Sequence, residues 1–425
     1  MRWFGAINPG LDTARDRPDG VGYQLKPYLN PCEIRANTPL SLPLNEVRET
    51  GLGMKVTVER TALLKSLGHV HRVVERRNTI PILANVLVKA DRSKLAFKAT
   101  DLDLEETETI PAEVSQGGST TVPAHMFYEI VRKLPEGAQI VLEGTGDRAV
   151  LAVRAGRSRF TLQTLPESDF PDLAAGDMTH KFGLKAADLK RLIDKTQFAI
   201  STEETRYYLN GIYLHTAGTN KSPTLRAVAT DGHRLAQVEL PLPDGASGMA
   251  GIIIPRKTVG EVQRLIEDNE AEITLELSPG KIRFTFGDVV LTSKLIDGTF
   301  PDYGRVIPTG NDKELVVDKK EFEQAVDRVS TVSSERGRAV KLSLSTGKLM
   351  LSVTNPDSGS ATEEVEVEYS ADPLDIGFNS RYLLDIAGQI EGEAAVLMLA
   401  DPGSPTLIQD RDSKNALYVL MPMRV

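Results

Sequence analysis

An α+β architecture, built from three tandem copies of one domain with two helices packed on antiparallel sheets, is what this sequence predicts. Three observations predict it. Apolar residues recur at i, i+4 and i+7 in three helical segments: Leu63, Leu67 and Val70; Leu189, Ile193 and the weaker Thr196; Phe322, Val326 and Val329. Such positions share one helix face. Each segment follows an apolar strand residue five positions earlier, namely Val58, Leu184 and Val317. Finally, segments such as Ala271–Leu277 and Lys281–Phe286 alternate apolar with polar residues, as half-buried antiparallel strands do.

The remaining elements follow in the same order in each copy. Paired strands end in Ala99-Thr100-Asp101, Ala229-Thr230-Asp231 and Val353-Thr354-Asn355, where Asp and Asn suit a turn because their side chains bond local backbone. A second helix is expected to open at Pro123, Pro255 and Phe378; proline near a helix start costs little, since its missing N–H would be unpaired there. Copies one and two close alike, in Leu165-Pro-Glu-Ser-Asp-Phe-Pro-Asp172 and Leu295-Ile-Asp-Gly-Thr-Phe-Pro-Asp302. A period of about 125 residues far exceeds the 20–50 of solenoid repeats, so whole domains are triplicated. The expected domains are 54–177, 178–312 and 313–425. Residues 1–53 hold six of the 24 prolines and show no periodicity, so they read as a disordered leader or a misassigned start, dispensable for folding.

Composition narrows the function. Apolar residues make up 40% of the 425 and charged residues 26%, and no run is long enough to cross a bilayer. The N-terminus lacks the pattern of a secretory signal, which leaves the cytoplasm as the expected compartment. One cysteine, Cys32, excludes an intramolecular disulfide and a cysteine-based zinc site. A net charge of −9 argues against nucleic acid only if charge is evenly spread. It is not: the helices hold Lys65, Arg72, Arg76, Arg77, Arg132, Lys133, Lys190, Arg191, Lys195, Arg256, Lys257, Arg264, Lys319, Lys320 and Arg328, and acid gathers in stretches such as Asp101–Glu106 and Glu363–Glu368. Solvated helix faces are the plain explanation; side-by-side repeats would instead align these helices on one surface.

Catalytic motifs are absent. Ser345-Thr-Gly-Lys-Leu349 lacks the glycine spacing of a phosphate loop, and there is neither a nucleophile elbow nor a His-Glu-x-x-His pair. His69 and His71, two apart on a helix, point to different faces and read as solvated or capping residues. No catalytic residue, metal ligand or cofactor is expected.

Beyond these patterns, the threefold repeat, Arg77-Asn-Thr-Ile-Pro-Ile-Leu83, Arg206-Tyr-Tyr-Leu-Asn-Gly211, Thr230-Asp-Gly-His-Arg-Leu235, Phe300-Pro-Asp-Tyr303 and Met421-Pro-Met-Arg424 closely resemble the bacterial sliding clamp, the β subunit of DNA polymerase III. The resemblance spans residues 54–425. It implies a head-to-tail homodimer whose six domains close a ring around double-stranded DNA. With twelve helices spaced roughly 10 Å apart, the ring would be ~38 Å across between helix axes, leaving an opening of ~28 Å. That admits a duplex with a layer of water and favours loose phosphate contact over base reading.

The resemblance also assigns sites. DNA contacts would fall at Arg77, Tyr207 and Tyr208, with two departures: His125 where a basic residue is expected, and Glu203, which would repel phosphate, where an amide is expected. Hydrophobic packing is the alternative role for the tyrosines. A pocket for short peptides from the replicative polymerase, the clamp loader, other polymerases and repair proteins would use Leu209, Thr230, Gly232, His233, Arg234, Leu235, Pro301, Arg305, Val306, Asn379, Tyr382, Val419, Leu420, Met421, Pro422, Met423 and Arg424. Taken alone, Thr230–Arg234 is equally a plain β-turn. An enzyme assembled from triplicated domains and a scaffold that binds proteins without DNA are the rival readings. Retention on circular but not linear DNA would separate them from a clamp.

Overall fold

The computed structural model describes residues 53–145, 149–173, 176–219, 221–267, 270–333 and 338–425. The expected leader, apart from Gly53, lies outside the described residues. Each repeat opens with a strand and a helix: Lys55–Glu59 into α1 (Arg60–Val70), His180–Lys185 into α3 (Ala186–Asp194), Lys313–Asp318 into α5 (Lys319–Ser330). Carboxylates cap two of them, Glu59 accepting from the Ala62 N–H and Asp318 from the Glu321 N–H. The apolar stripes face inward: Leu63, Leu67, Val70 and Val326 have no exposed surface, and Leu189, Ile193, Phe322 and Val329 are buried with them.

The second helices are α2 (Ala124–Lys133), α4 (Arg256–Leu265) and α6 (Ser380–Ala387), each packed beside the first helix of its repeat. Pro123 and Pro255 stand at the N-cap as expected. In the third copy the expected start at Phe378 is corrected: Phe378 is a fully buried strand residue, and the cap is Asn379, whose side chain accepts from the Arg381 and Tyr382 N–H groups. Thr196 lies past the end of α3 and donates to the Leu192 carbonyl at 2.6 Å.

Strand pairing does not stop at the repeat boundaries. Leu104–Pro111 of the first repeat pairs antiparallel with Val289–Lys294 of the second, Leu291 opposite Glu106, and fuses two half-sheets into one of eight strands. In the same way Arg234–Pro241 of the second repeat pairs with Ala416–Leu420 of the third, Arg234 opposite Leu420, in a second eight-stranded sheet. The rule is positional: the third strand after the first helix of one repeat joins the last strand of the next. Among the described residues, two strands in those positions have no such neighbour. Gly359–Glu366 ends a four-stranded sheet in the third repeat, and Ser158–Gln163 ends a five-stranded sheet in the first.

Among the described residues, no helix is long and apolar enough to cross a membrane.

Candidate functional site

The second fused sheet carries a concave site at its junction with the third repeat. Thr230–Arg234 is the turn between paired strands Ser222–Thr230 and Arg234–Pro241, and it is built locally. The buried Thr230 hydroxyl donates to the Arg234 carbonyl at 2.7 Å and accepts from the Gly232 N–H; Asp231 accepts from the His233 and Arg234 N–H groups. Gly232 has φ +86°, a left-handed conformation that glycine adopts without strain. Because the following strand pairs with Ala416–Leu420, this turn and the chain's last residues meet: the Met421 N–H donates to the His233 carbonyl and the Met423 N–H to the Gly377 carbonyl, both at 2.9 Å.

Between turn, tail and α6 opens a cleft of about 650 Å³ lined by His233, Asn379, Tyr382, Met421, Pro422, Met423 and Arg424, with Pro402 and Gly403 completing the wall. The last two carry no motif and escape sequence reasoning; their only signal is a proline-glycine turn. A separate apolar cluster holds Leu209, Leu235 and Val419 with Val228, Ile253, Phe300 and Tyr303, and Val306 packs against it. Leu420 is fully buried, Pro301 half-buried and Arg305 exposed, paired with Asp302 at 2.8 Å. The proposed pocket residues thus divide into cleft lining, an apolar cluster and a rim.

Arg234 has another role in this geometry. Its guanidinium bonds Asp231 of its own turn, Asp385 of α6 at 2.5 Å and the Phe198 carbonyl at 2.5 Å, while lying over the rings of Tyr382 and Phe198. With 8% of its surface exposed, it is a rivet between repeats, and its donors are already engaged.

Behind the cluster, the Tyr303 hydroxyl accepts from Arg226 at 3.0 Å and lies 2.9 Å from His215 Nε2, whose Nδ1 donates to the Thr216 carbonyl. His215 is placed to accept at Nε2 from the Tyr303 hydroxyl, whose oxygen already accepts from Arg226. Burial holds its pKa below the usual imidazole value, and the Arg226 charge acts in the same direction.

The residues assigned to DNA are more dispersed. Arg77 is exposed in the segment after α1. His125, on α2, bonds the Val74 carbonyl at 2.9 Å and so anchors that segment. Tyr207 is 55% exposed, whereas Tyr208 packs against the apolar cluster, and their rings meet edge-on at 5.8 Å. Glu203 pairs with Arg206 at 3.3 Å, which offsets its charge. Nearby, Arg256, Lys257 and Arg264 line an open depression of about 820 Å³ with Gln197, Ser201, Thr202 and Asn210.

The helix cations do not all lie on one open face. Lys257 reaches across to the first repeat, bonding the Val73 carbonyl, Glu75 and Asp101. Lys195 bonds the Gln389 carbonyl and pairs with Glu391 of the third repeat, and Lys65 pairs with Glu267 of the second. These charges join repeats. Of the two histidines, His71 caps the end of α1, bonding the Leu67 carbonyl and stacking on Tyr128 at 3.9 Å, whereas His69 departs from expectation: it is neither solvated nor capping, since its Nδ1 lies 3.0 Å from a Glu108 oxygen.

Comparison with known proteins agrees with this architecture. Family models for the N-terminal, central and C-terminal domains of the DNA polymerase III beta subunit match residues 54–174, 183–302 and 304–424. A beta sliding clamp from Caulobacter vibrioides is 54% identical over 372 residues, covering 88% of this chain and all of the relative. The beta sliding clamp of Escherichia coli is 40% identical over 373 residues, with the same coverage. Among solved structures, a DnaN sliding clamp from Bartonella birtlesii bound to griselimycin superposes with a TM-score of 0.85 at 55% identity, over 88% of this chain and all of that one.

Proposed function

Since this chain belongs to the DNA polymerase III beta subunit family, we propose that it is a processivity clamp: a head-to-tail dimeric ring that encircles duplex DNA and tethers a polymerase without catalysing a reaction itself. The observation that carries this reading is the pair of unmatched strands. Inside the chain, two junctions obey one positional rule, and the rule's next step would join Gly359–Glu366 to Ser158–Gln163 of a second copy. In the ring we propose, each chain's three repeats span half a circle, so this junction is made with a second copy. Two head-to-tail chains could make it twice, which would close a ring and pair both of these end strands. Charge is compatible with the match: Glu366 lies on one strand beside Glu363 and Glu364, which bond Arg328 and Lys348 of their own repeat, and Arg159 lies on the other with Arg157 beside it.

The proposed domain limits stay at 54–177, 178–312 and 313–425. On the inner surface, Arg77 would pair with phosphate and Tyr207 would stack on an exposed base, with Tyr208 supporting it and His125 and Glu203 acting through the backbone and Arg206. The cleft at His233, Tyr382 and Met421–Arg424 would take a short peptide, its apolar anchors on the Met and Pro walls and the flexible methionines adapting to different sequences. The same pocket would serve the polymerase, a clamp loader and repair proteins in turn.

The decisive experiment loads the protein onto nicked circular DNA and then linearises it. Retention on circles and loss from free ends is the expected outcome. Equal retention on both would favour a DNA-binding scaffold, and no retention on either would remove the clamp reading.

A further inference from the structure

Along Leu104–Pro111 the residues of one parity are Leu104, Glu106, Glu108 and Ile110, and all four are buried. Two carboxylates therefore occupy positions on the core side of a strand, at the seam between the first and second repeats. Glu106 has no exposed surface, and among the described residues neither of its carboxylate oxygens has a hydrogen-bond partner. As a carboxylate without a counter-charge it would lose its hydration for no return, so the site calls for a cation or a proton. Glu108 is 5% exposed and reaches His69 of α1, whose Nε2 lies 3.4 Å from Glu267 of the second repeat.

We propose that His69, Glu106 and Glu108 form a binding site for a divalent transition-metal ion of the zinc class. One donor atom from each lies within 4.8 Å of the other two, a spacing that a shift of about 1 Å would bring to that of ligands around an ion bonded at about 2.0–2.2 Å. An imidazole with two carboxylates suits zinc or manganese, whereas magnesium and calcium prefer all-oxygen sets. Glu106 supplies the strongest pointer to a ligand, since its unpartnered oxygens sit beside two further donors. Glu267, which bonds Lys65, faces the other ring nitrogen, Nε2, from across the seam and would orient the imidazole while Nδ1 holds the ion, and His69, with 17% of its side chain exposed, gives an entry path. The ion would tie the end of α1 to a strand that itself pairs with the second repeat, so its effect is to stiffen that seam.

A proton is the competing occupant. Burial pushes Glu106 up to about 8, so without an ion it is held as the neutral acid. Nearby Arg72 opposes cation binding, but Glu261 and Glu267 add to the negative field.

The test uses the full-length protein stripped with a chelator and titrated separately with ZnCl2 and CoCl2. One equivalent of tight zinc binding, a higher melting temperature and a visible cobalt spectrum of a nitrogen–oxygen site are expected. His69→Gln and Glu106→Gln should each weaken zinc binding by about tenfold or more. Glu108→Gln is the substitute if Glu106→Gln fails to fold. His71→Asn should leave the zinc stoichiometry and affinity unchanged, because His71 faces His125 and Tyr128 and not Glu106 or Glu108. Absence of a zinc-dependent melting shift would overturn the proposal and leave the proton as sole occupant. An unchanged response in His69→Gln, or a response lost in His71→Asn, would overturn it by placing the ion elsewhere. Retention on circular DNA is measured alongside; its presence or absence leaves the metal result standing.

Discussion

The guanidinium of Arg234 lies 4.2 Å from the centroid of the Tyr382 ring while one of its nitrogens bonds Asp385 one turn further along the same helix. A single residue of the second repeat thus grips α6 of the third by both its flat face and its edge. Arg234→Ala would leave Asp385 and the Phe198 carbonyl without this partner in a partly buried seam, a loss of about 2 kcal/mol. The expected result is a melting temperature lowered by several degrees, with peptide affinity reduced because Tyr382 is released. Arg234→Lys should recover only part of the loss, since an ammonium cannot bond three acceptors in one plane and stack as well. Full stability in the lysine variant would show that charge alone matters there.

His215 gives a pH dependence with a defined sign. Its folded pKa is lowered, so its contribution to stability is fully present above the unfolded value of about 6.5. As pH falls below 6.5 toward the lowered folded value, unfolded chains bind a proton that the folded chain resists, and stability declines. Protonation would also remove the nitrogen that accepts from Tyr303 and set a cation beside Arg226. Urea midpoints measured from pH 7.5 to 5.5 should fall less steeply in His215→Gln, whose amide oxygen can still accept from Tyr303. An identical slope in both proteins would assign the acid sensitivity to other groups.

The repeat and its helices were legible because apolar spacing is a local property: the residues that form each stripe are neighbours in sequence. What the sequence did not show was which strands join across repeats, since the partners of Leu104–Pro111 and Arg234–Pro241 lie about 180 residues away and alternation looks the same for inner and edge strands. Arg234 was visible as part of a turn motif, but its engagement in a seam depends on α6, which only the fold brings near. Lys195 and Lys257 read as surface charge for the same reason. Glu106 and Glu108 were readable in principle, because their parity matches Leu104 and Ile110; Glu106 was instead taken as the end of the acidic stretch from Asp101, and Glu108 was not singled out. Pro402 and Gly403 belong to the cleft through loop position alone.

Phe160 is a large apolar residue 36% exposed on the end strand Ser158–Gln163, beside Met126, 56% exposed on α2, and Ile130. If that strand pairs with a second copy, Phe160→Arg should shift the chain from dimer to monomer in sedimentation at micromolar concentration. Its own fold should change little, because replacing a partly exposed residue rarely costs more than about 0.5 kcal/mol. Loss of retention on circular DNA should accompany dissociation. A variant that stays dimeric would place the interface on another surface.

Deleting Met421–Val425 tests the peptide cleft. The preceding strand, Ala416–Leu420, holds the fused sheet together and remains in place, so the ring should persist. What disappears is one wall: Met421, Pro422 and Met423 stand half-buried along the cleft, with Arg424 exposed at its end. Burying one Leu or Phe anchor of a peptide contributes about 1.5–3 kcal/mol. Two or three anchors, less the cost of ordering a flexible chain, bring affinity to the micromolar range, weak enough for partners to exchange on one ring. Removing the wall takes away most of that surface, so titration with a polymerase-type peptide should show binding reduced by about a hundredfold or beyond detection, a change of roughly 2.7 kcal/mol or more. Sedimentation of the same sample should still report the dimer. Equal affinity in both proteins would place the peptide elsewhere, and collapse to monomer would show that the tail, through the Met423 bond to Gly377, holds the third repeat together.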